Sequence, residues 1–160
     1  MYFLFRWERI FYMIFNKKER VIIVGCGRLG GRLATMLSDK GYQVVIIDNR
    51  PEAFNKLPES FGGFPIQADG IDLNTLKYAE IDDASLFIAA TGNDNLNSLL
   101  AQIASRIFGV SNVYVRFDDT DKGRLVKGFN IQCIYPFKLS MRDFEESLFG
   151  AADEEEDEEL

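Results

Sequence analysis

From position 21 the chain reads Val-Ile-Ile-Val-Gly-Cys-Gly-Arg-Leu-Gly-Gly-Arg-Leu-Ala, and few folds accommodate such a stretch. Four branched apolar residues make a buried strand. Gly25, Gly27 and Gly30 then take the G-x-G-x-x-G spacing where a helix begins. The first glycine permits a sharp turn, the second lets a diphosphate approach the backbone, and the third lets helix and strand pack closely. Unpaired N–H groups of the first helical turn would face the anion. Leu29, Leu33, Met36 and Leu37 fall at i, i+4, i+7 and i+8, an apolar helix face that Lys40-Gly41 stops. A second strand over residues 43–47 ends in Asp48, about 20 residues past the glycines, where a carboxylate accepts hydrogen bonds from a ribose diol. The same glycine spacing occurs in purely structural turns, so it is the complete βαβ unit that points to a nucleotide.

The chain has 160 residues, enough for one domain with a real core but short of a dinucleotide domain plus a substrate domain. Its net charge of -7 misleads, because residues 153–159 hold seven of the 25 acidic residues and leave 18, matched by 18 basic ones. The body is therefore neutral, with no basic face for nucleic acid. Cys26 and Cys133 form neither a metal-ligand spacing nor a disulfide framework, which suits a reducing, cytoplasmic setting.

Residues 1–19 form an apolar, aromatic extension. Tyr2, Phe3, Leu4, Phe5, Trp7, Ile10, Phe11, Tyr12, Met13, Ile14 and Phe15 are interrupted only by Arg6, Glu8 and Arg9. The run is shorter than the roughly 20 residues that cross a bilayer, and it lacks the charge order and cleavage site of a signal peptide. Burial against another subunit, contact with a membrane surface or membrane protein, and an extra core helix are its three readings. The first two give the working expectation.

After the charged joint at residues 17–20, the pattern predicts a domain over residues 20–149. A short helix spans 52–57 up to Pro58, a third strand spans 64–67, and Asp72 caps a helix through Leu73, Leu76 and Ala79. Strand four covers 85–89, followed by a helix with Leu96, Leu99, Leu100, Ile103 and Ile107 on one face. Strand five covers 113–115, a helix carries Leu125 and Val126, strand six covers 131–134, and a last helix spans 139–149. Gly41, Gly109 and Gly128 separate helix from strand, as short αβ connections in a doubly wound parallel sheet require. Residues 150–160 are an acidic tail, most simply a disordered, solubilising end.

In such a sheet ligands bind outside the carboxyl ends of the strands, where the winding reverses. Those ends carry the glycine turn, Asp48, Asp69, residues 91–97 and Arg116. Asp69 and Asp94 also read as ordinary loop acids, and Asn93 and Asn97 as caps or turns. Arg28 opposes the helix dipole and calls for an anion nearby.

At this point the residues resemble a family. Gly25-x-Gly27-Arg28-x-Gly30-x-x-x-Ala34, Asp48, the Asp69 to Asp72 turn, Leu76-x-x-Ala79-x-Ile81-x-x-Ala84, Ala90-Thr91-x-x-Asp94-x-x-Asn97 and Val113-Tyr114-Val115-Arg116 are similar to the nucleotide-binding N-terminal domain of the regulator-of-potassium-conductance group. These are the cytoplasmic subunits of Trk and Ktr potassium uptake systems, and the resemblance runs from Val21 to about Phe144. It implies a single Rossmann-like domain with a six-stranded, doubly wound parallel sheet. It also implies a sensor that binds NAD(H) or an adenine nucleotide (AMP, ADP or ATP), assembles into dimers and then a ring of eight domains, and gates a membrane potassium-translocating subunit at the inner face of the cell membrane. Gly25, Gly27, Arg28, Leu29 and Gly30 would line the phosphates. Asp48 with Asn49 would hold a ribose, Asp69 would lie by the adenine, and Thr91, Gly92, Asn97 and Arg116 would close the site.

Three features depart from the pattern. Glu80 stands where a glycine is usual, the aromatic extension is additional, and only an acidic tail follows the last helix where the family often has a second ligand-binding domain. Either a companion regulatory chain supplies that domain or the ring works without it.

The rival class is a small NAD-dependent oxidoreductase, which needs a proton-transfer group such as His, or Tyr assisted by Lys. The chain has no histidine, and none of its six tyrosines is followed by Lys four residues on. No catalytic residue and no metal ligand is therefore expected. A nucleotide-binding scaffold outside potassium transport is the third reading. Asp48 disfavours NADP, since a carboxylate there repels a 2′-phosphate, although Arg50 stands close by.

Overall fold

A strand apolar on both sides must be covered on both faces. Val21 to Val24 of β1 (Arg20–Val24) are accordingly all buried. The computed structural model describes residues 19–150 and places β1 at the centre of a six-stranded sheet ordered β3-β2-β1-β4-β5-β6, all neighbours parallel. The aromatic extension and the acidic tail lie outside the described residues, apart from their junctions at 19 and 150. The strands are β2 (Gln43–Asp48), β3 (Phe64–Gln67), β4 (Ala84–Ala89), β5 (Asn112–Arg116) and β6 (Ile131–Ile134). The helices are α1 (Arg28–Asp39), α2 (Leu73–Tyr78), α3 (Asp94–Gln102) and α4 (Pro136–Phe149).

One face packs Ile22, Val24, Val45, Ile47, Phe87 and Val115 against Leu76, Leu100, Ala104 and Val126. The other packs Val21, Ile23, Val44, Ile46 and Ile88 against Ala34 and Ala53. Each fully buried branched side chain there contributes about 2 kcal/mol through removal from water. Val24 pairs with Ile47 on one side and Ala89 on the other, and Ala89 pairs with Val115, so the strands finish level at one edge.

Several elements differ from expectation. α1 meets the sheet through Gly30, Gly31 and Ala34, while Leu29, Leu33 and Leu37 are half-buried and Met36 is 45% exposed. Small residues let the helix axis come close, and the large ones then flank the contact. On α3 the buried positions are Asn97, Ser98, Leu100 and Ala101, followed by Ile103 and Ala104; of the expected face Leu100 and Ile103 are buried and Leu96 is half-buried, while Leu99 turns outward. A widened π turn over Ile103–Ile107 carries Ile107 off the face as well. Residues Pro51–Lys56 and Thr120–Val126 are 3₁₀ turns, not α-helix. Gly123 in the second turn is a poor helix former and lies so close to the Tyr135 hydroxyl that a Cβ would overlap it. α4 begins at Pro136 and has no buried residue.

Candidate functional site

The edge where the strands end carries a crevice of about 350 Å³ at the switch point between β1 and β4. Its first wall is the glycine turn. Gly25 takes φ +106, and a Cβ there would lie 2.7 Å from the backbone of Ala90 and Thr91, so only glycine lets the loops after β1 and β4 meet. A Cβ on Gly30 would strike the Gly25 carbonyl, which fixes the close packing of α1 on the turn. Gly27 differs: nothing in the protein lies within 4 Å of where its Cβ would be. Packing does not require that glycine, and the space before it is left open.

α1 starts at Gly27 with no side-chain cap and no acid in its first turn. Its first intrahelical bond runs from the Gly31 N–H to the Gly27 carbonyl at 2.9 Å, which leaves the N–H groups of Arg28, Leu29 and Gly30 without a partner among the described residues. Three adjacent donors at the positive end of a helix dipole suit an anion.

Asp48 closes the second wall and is buried. Its Oδ2 accepts the Cys26 N–H at 2.8 Å, and its Oδ1 accepts the Arg50 N–H at 2.9 Å and Arg50 Nε at 3.3 Å. Burial alone would raise the Asp48 carboxyl, but the bonds from the Arg50 and Cys26 backbone and from the guanidinium outweigh it and hold the group below its ordinary value. Oδ1 is filled by two donors, and Oδ2 retains a lone pair for a ligand hydroxyl. Burial, with the Asp48 carboxylate adding to it, pushes the Cys26 thiol up, and that thiol bonds the Ala53 carbonyl at 3.4 Å. Cys26 is thus a neutral packing group. Asp69 lies across the mouth, exposed, its Oδ1 accepting the Ile71 N–H at 3.0 Å.

The third wall is the loop after β4, and its polar residues are tied to the chain. The Asn97 side chain is fully buried: Oδ1 accepts the Thr91 N–H at 2.9 Å and the Thr91 hydroxyl at 2.5 Å, while Nδ2 donates to the Thr91 carbonyl at 3.0 Å and the Arg116 carbonyl at 2.9 Å. The Asp94 carboxylate takes the N–H groups of Asp118 and Asp119 at 2.9–3.1 Å. Asn93 caps α3 through the Leu96 N–H at 3.0 Å. The Thr91, Asp94 and Asn97 pattern therefore binds the loops after β4 and β5 together and gives the crevice a fixed far wall.

Gly25, Gly27, Asp48, Asn49, Asp69, Thr91, Gly92 and Arg116 line the crevice. Arg116 points its guanidinium at Asp118, with Nη2 at 2.8 Å from Oδ1. Arg28 instead lines a neighbouring groove of about 780 Å³ along α1, with Arg32, Lys40 and Lys56, that shares only Gly27 with the crevice. Leu29, Gly30 and Asn97 do not line it; Gly30 and Asn97 hold its walls in place. Sequence reasoning passed over Val24, Ile47, Ala68, Gly70, Ala90 and Leu96 as lining residues, and treated Arg50 only as a neighbour of Asp48. Val24, Ile47, Ala68 and Ala90 lie at or just past strand ends, and Leu96 lies in the first turn of α3. Gly70 carried a readable signal, since it follows Asp69, and a Cβ there would fall 2.5 Å from Val24 Cγ1.

Among the described residues no helix is long and apolar enough to cross a membrane. The Trk system potassium uptake protein TrkA of Streptomyces coelicolor is 37% identical over 114 residues, covering 71% of this chain and 51% of that protein. The chain spans about half the length of the curated relatives it matches. Two solved structures, GsuK bound to ADP and the GsuK channel bound to NAD, share the fold at TM-scores of 0.70 and 0.68. Each is 20% identical, over 84% and 81% of this chain and 35% and 23% of theirs. Residues 21–135, including all three walls of the crevice, match the TrkA-N domain, and the chain belongs to the TrkA-N domain family.

Proposed function

We propose that this chain is a nucleotide-binding regulatory subunit of a potassium uptake system, acting on the cytoplasmic side of a membrane-embedded potassium-translocating partner. The observation that carries the reading is the open space before Gly27, the residue shared by the crevice and the groove along α1: the helical turn that follows it has three N–H groups without a partner among the described residues, and the buried Asp48 carboxylate lines the crevice. A diphosphate fits the first two, and a ribose hydroxyl fits the lone pair left on Asp48. NAD(H) and the adenine nucleotides AMP, ADP and ATP all contain these groups. The relatives named for potassium uptake, and the structural neighbours bound to ADP and NAD, support the same reading.

A sensing role fits better than catalysis. Two carboxylates, Asp48 and Asp69, line the crevice; the three donors on Asp48 hold it below its ordinary value and make it a weak base, and the lone pair left on its Oδ2 is the one a ribose hydroxyl takes. Assembly with further copies is part of the proposal. α4 exposes Phe137, Leu139, Met141, Phe144, Leu148 and Phe149 along one helix, more apolar surface than a lone domain ordinarily presents. A dimer, and from it a ring of eight domains, would cover it. A companion chain would supply any second ligand-binding domain the ring uses.

Gating follows if the nucleotide binds one packing of neighbouring domains more tightly than another, because a ligand shifts an equilibrium only by its differential affinity. The test is potassium flux through the reconstituted partner with nucleotide added, for the wild type and for Asp48→Ala. Nucleotide-dependent flux that Asp48→Ala abolishes is expected. Equal flux with and without nucleotide, or turnover of NADH on any substrate, would overturn the proposal.

A further inference from the structure

At the edge of the sheet opposite the crevice lies a groove of about 380 Å³. Phe64, Pro65 and Ile66 of β3 form one wall, Tyr78 stands on the other, and the buried Val45 is the floor. Phe64 and Tyr78 are 65% and 79% exposed, two large rings with little of the described chain over them. The charge at its inner end is internally satisfied, since Arg20 pairs with Glu80 and also donates to Gln43 Oε1 at 3.1 Å. The groove therefore joins an apolar part, walled by Phe64, Pro65, Ile66 and Tyr78, to a polar end whose groups pair with one another, and it is not an anion site.

The chain itself enters at this place. Arg20 lines the groove, and Glu19 just before it is pinned: its carbonyl accepts the Gln43 N–H at 3.0 Å, and its carboxylate accepts the Ser85 hydroxyl at 3.4 Å. Everything ahead of Glu19 starts from the groove mouth. Phe15 is four residues away, at most about 14 Å of extended chain. Trp7, Phe11, Ile14 and Phe15 are spaced i, i+4, i+7 and i+8, which puts four large apolar side chains on one face of a helix. A tether this short holds the segment at an effective concentration in the millimolar range, well above that of any second copy.

We propose that the aromatic segment ahead of β1 docks into this groove of its own chain, with the face of Trp7, Phe11, Ile14 and Phe15 against Phe64 and Tyr78. The groove lies at the edge of the sheet opposite the nucleotide crevice and shares no lining residue with it. The docking does not depend on nucleotide binding.

Trp7 is the only tryptophan in the chain, so its fluorescence reports on the segment in the full-length protein. The expected result is blue-shifted emission, with acrylamide quenching several-fold weaker than in the urea-unfolded chain and unchanged across a dilution series. Phe64→Ser with Tyr78→Ser, which replace exposed rings, should move emission to the red and raise quenching towards the unfolded value. Far-UV circular dichroism provides the folding control. Phe11→Ser with Ile14→Ser, made in the segment itself, should reproduce the change and carries the test if the groove variant fails to fold. Emission indifferent to both pairs would overturn the proposal. So would emission that reddens on dilution, which means a second copy is the occupant, or that turns blue only when lipid vesicles are added, which means a membrane is.

Discussion

Gly27 and Asp48 show how much of the site local chemistry had already written. A glycine at the start of an uncapped helix and an acid at the end of the next strand are short-range features, legible without knowing the sheet order. Less legible was that Asp48 also serves the protein, by accepting the Cys26 and Arg50 N–H groups. Asp48→Ala should therefore lower stability by about 1–3 kcal/mol, since two N–H groups lose their acceptor, as well as weakening nucleotide binding. Denaturant unfolding and ligand titration separate the two effects. The lowered carboxyl also fixes a pH dependence. An unfolded Asp titrates near 3.9 and the folded Asp48 titrates below that, so its contribution is complete above about pH 5 and is lost as pH falls through the folded value. In Asp48→Asn that part of the acid loss should be missing, as a comparison of stabilities down to about pH 3 would show. Asn97 was legible as a motif member but not as the fully buried clasp it is, because its partners at Thr91 and Arg116 meet only once β4 and β5 lie side by side.

Elements followed their local signals where those were strong and departed where packing decided. Asp72 caps α2 through the Asn74 N–H at 2.9 Å, as its position in the sequence foretold. The stripe of α1 was read in part: Leu33 and Leu37 pack at the margin of the core, but hydrophobicity hides that the close approach of helix to sheet selects Gly30, Gly31 and Ala34, and Met36 is exposed. The two loops at the far wall of the crevice depend on Asn97. Asn97→Ala should cost about 2–3 kcal/mol by leaving buried backbone groups of Thr91 and Arg116 unpaired, and should weaken nucleotide binding through the displaced wall. Unchanged stability would mean that water replaces the clasp. Between α2 and β4, Glu80 takes φ 59, the only positive φ among the described non-glycine residues, at the position where the family resemblance led one to expect glycine. A left-handed Glu costs about 1–2 kcal/mol, and its exposed pair with Arg20 returns about 0.5. Glu80→Gly should accordingly raise stability by about 0.5–1.5 kcal/mol, measurable as a higher denaturant midpoint.

Across the whole molecule, it is the strand order that gathers residues from positions 25, 48, 69, 91 and 116 into one crevice. Recurrent glycines between helix and strand made the doubly wound sheet legible. The fate of α4 was not, because a helix with no buried residue in its own described chain carries the same apolar pattern as one that packs on the core. If α4 meets a second copy, Phe137→Glu with Phe144→Glu should shift sedimentation to the monomer while leaving the crevice competent. An unchanged oligomer would place the subunit contact elsewhere. The central claim, that the crevice holds an adenosine nucleotide on the glycine turn, is tested most directly by calorimetric titration of ADP and NAD into the wild type and into Gly27→Ala. A Cβ at Gly27 touches nothing in the protein, so the variant should match wild-type stability within about 0.5 kcal/mol. It should nevertheless bind at least tenfold more weakly, a loss of about 1.4 kcal/mol. Equal affinity of the two proteins for the nucleotides, or no affinity in the wild type, would contradict the account.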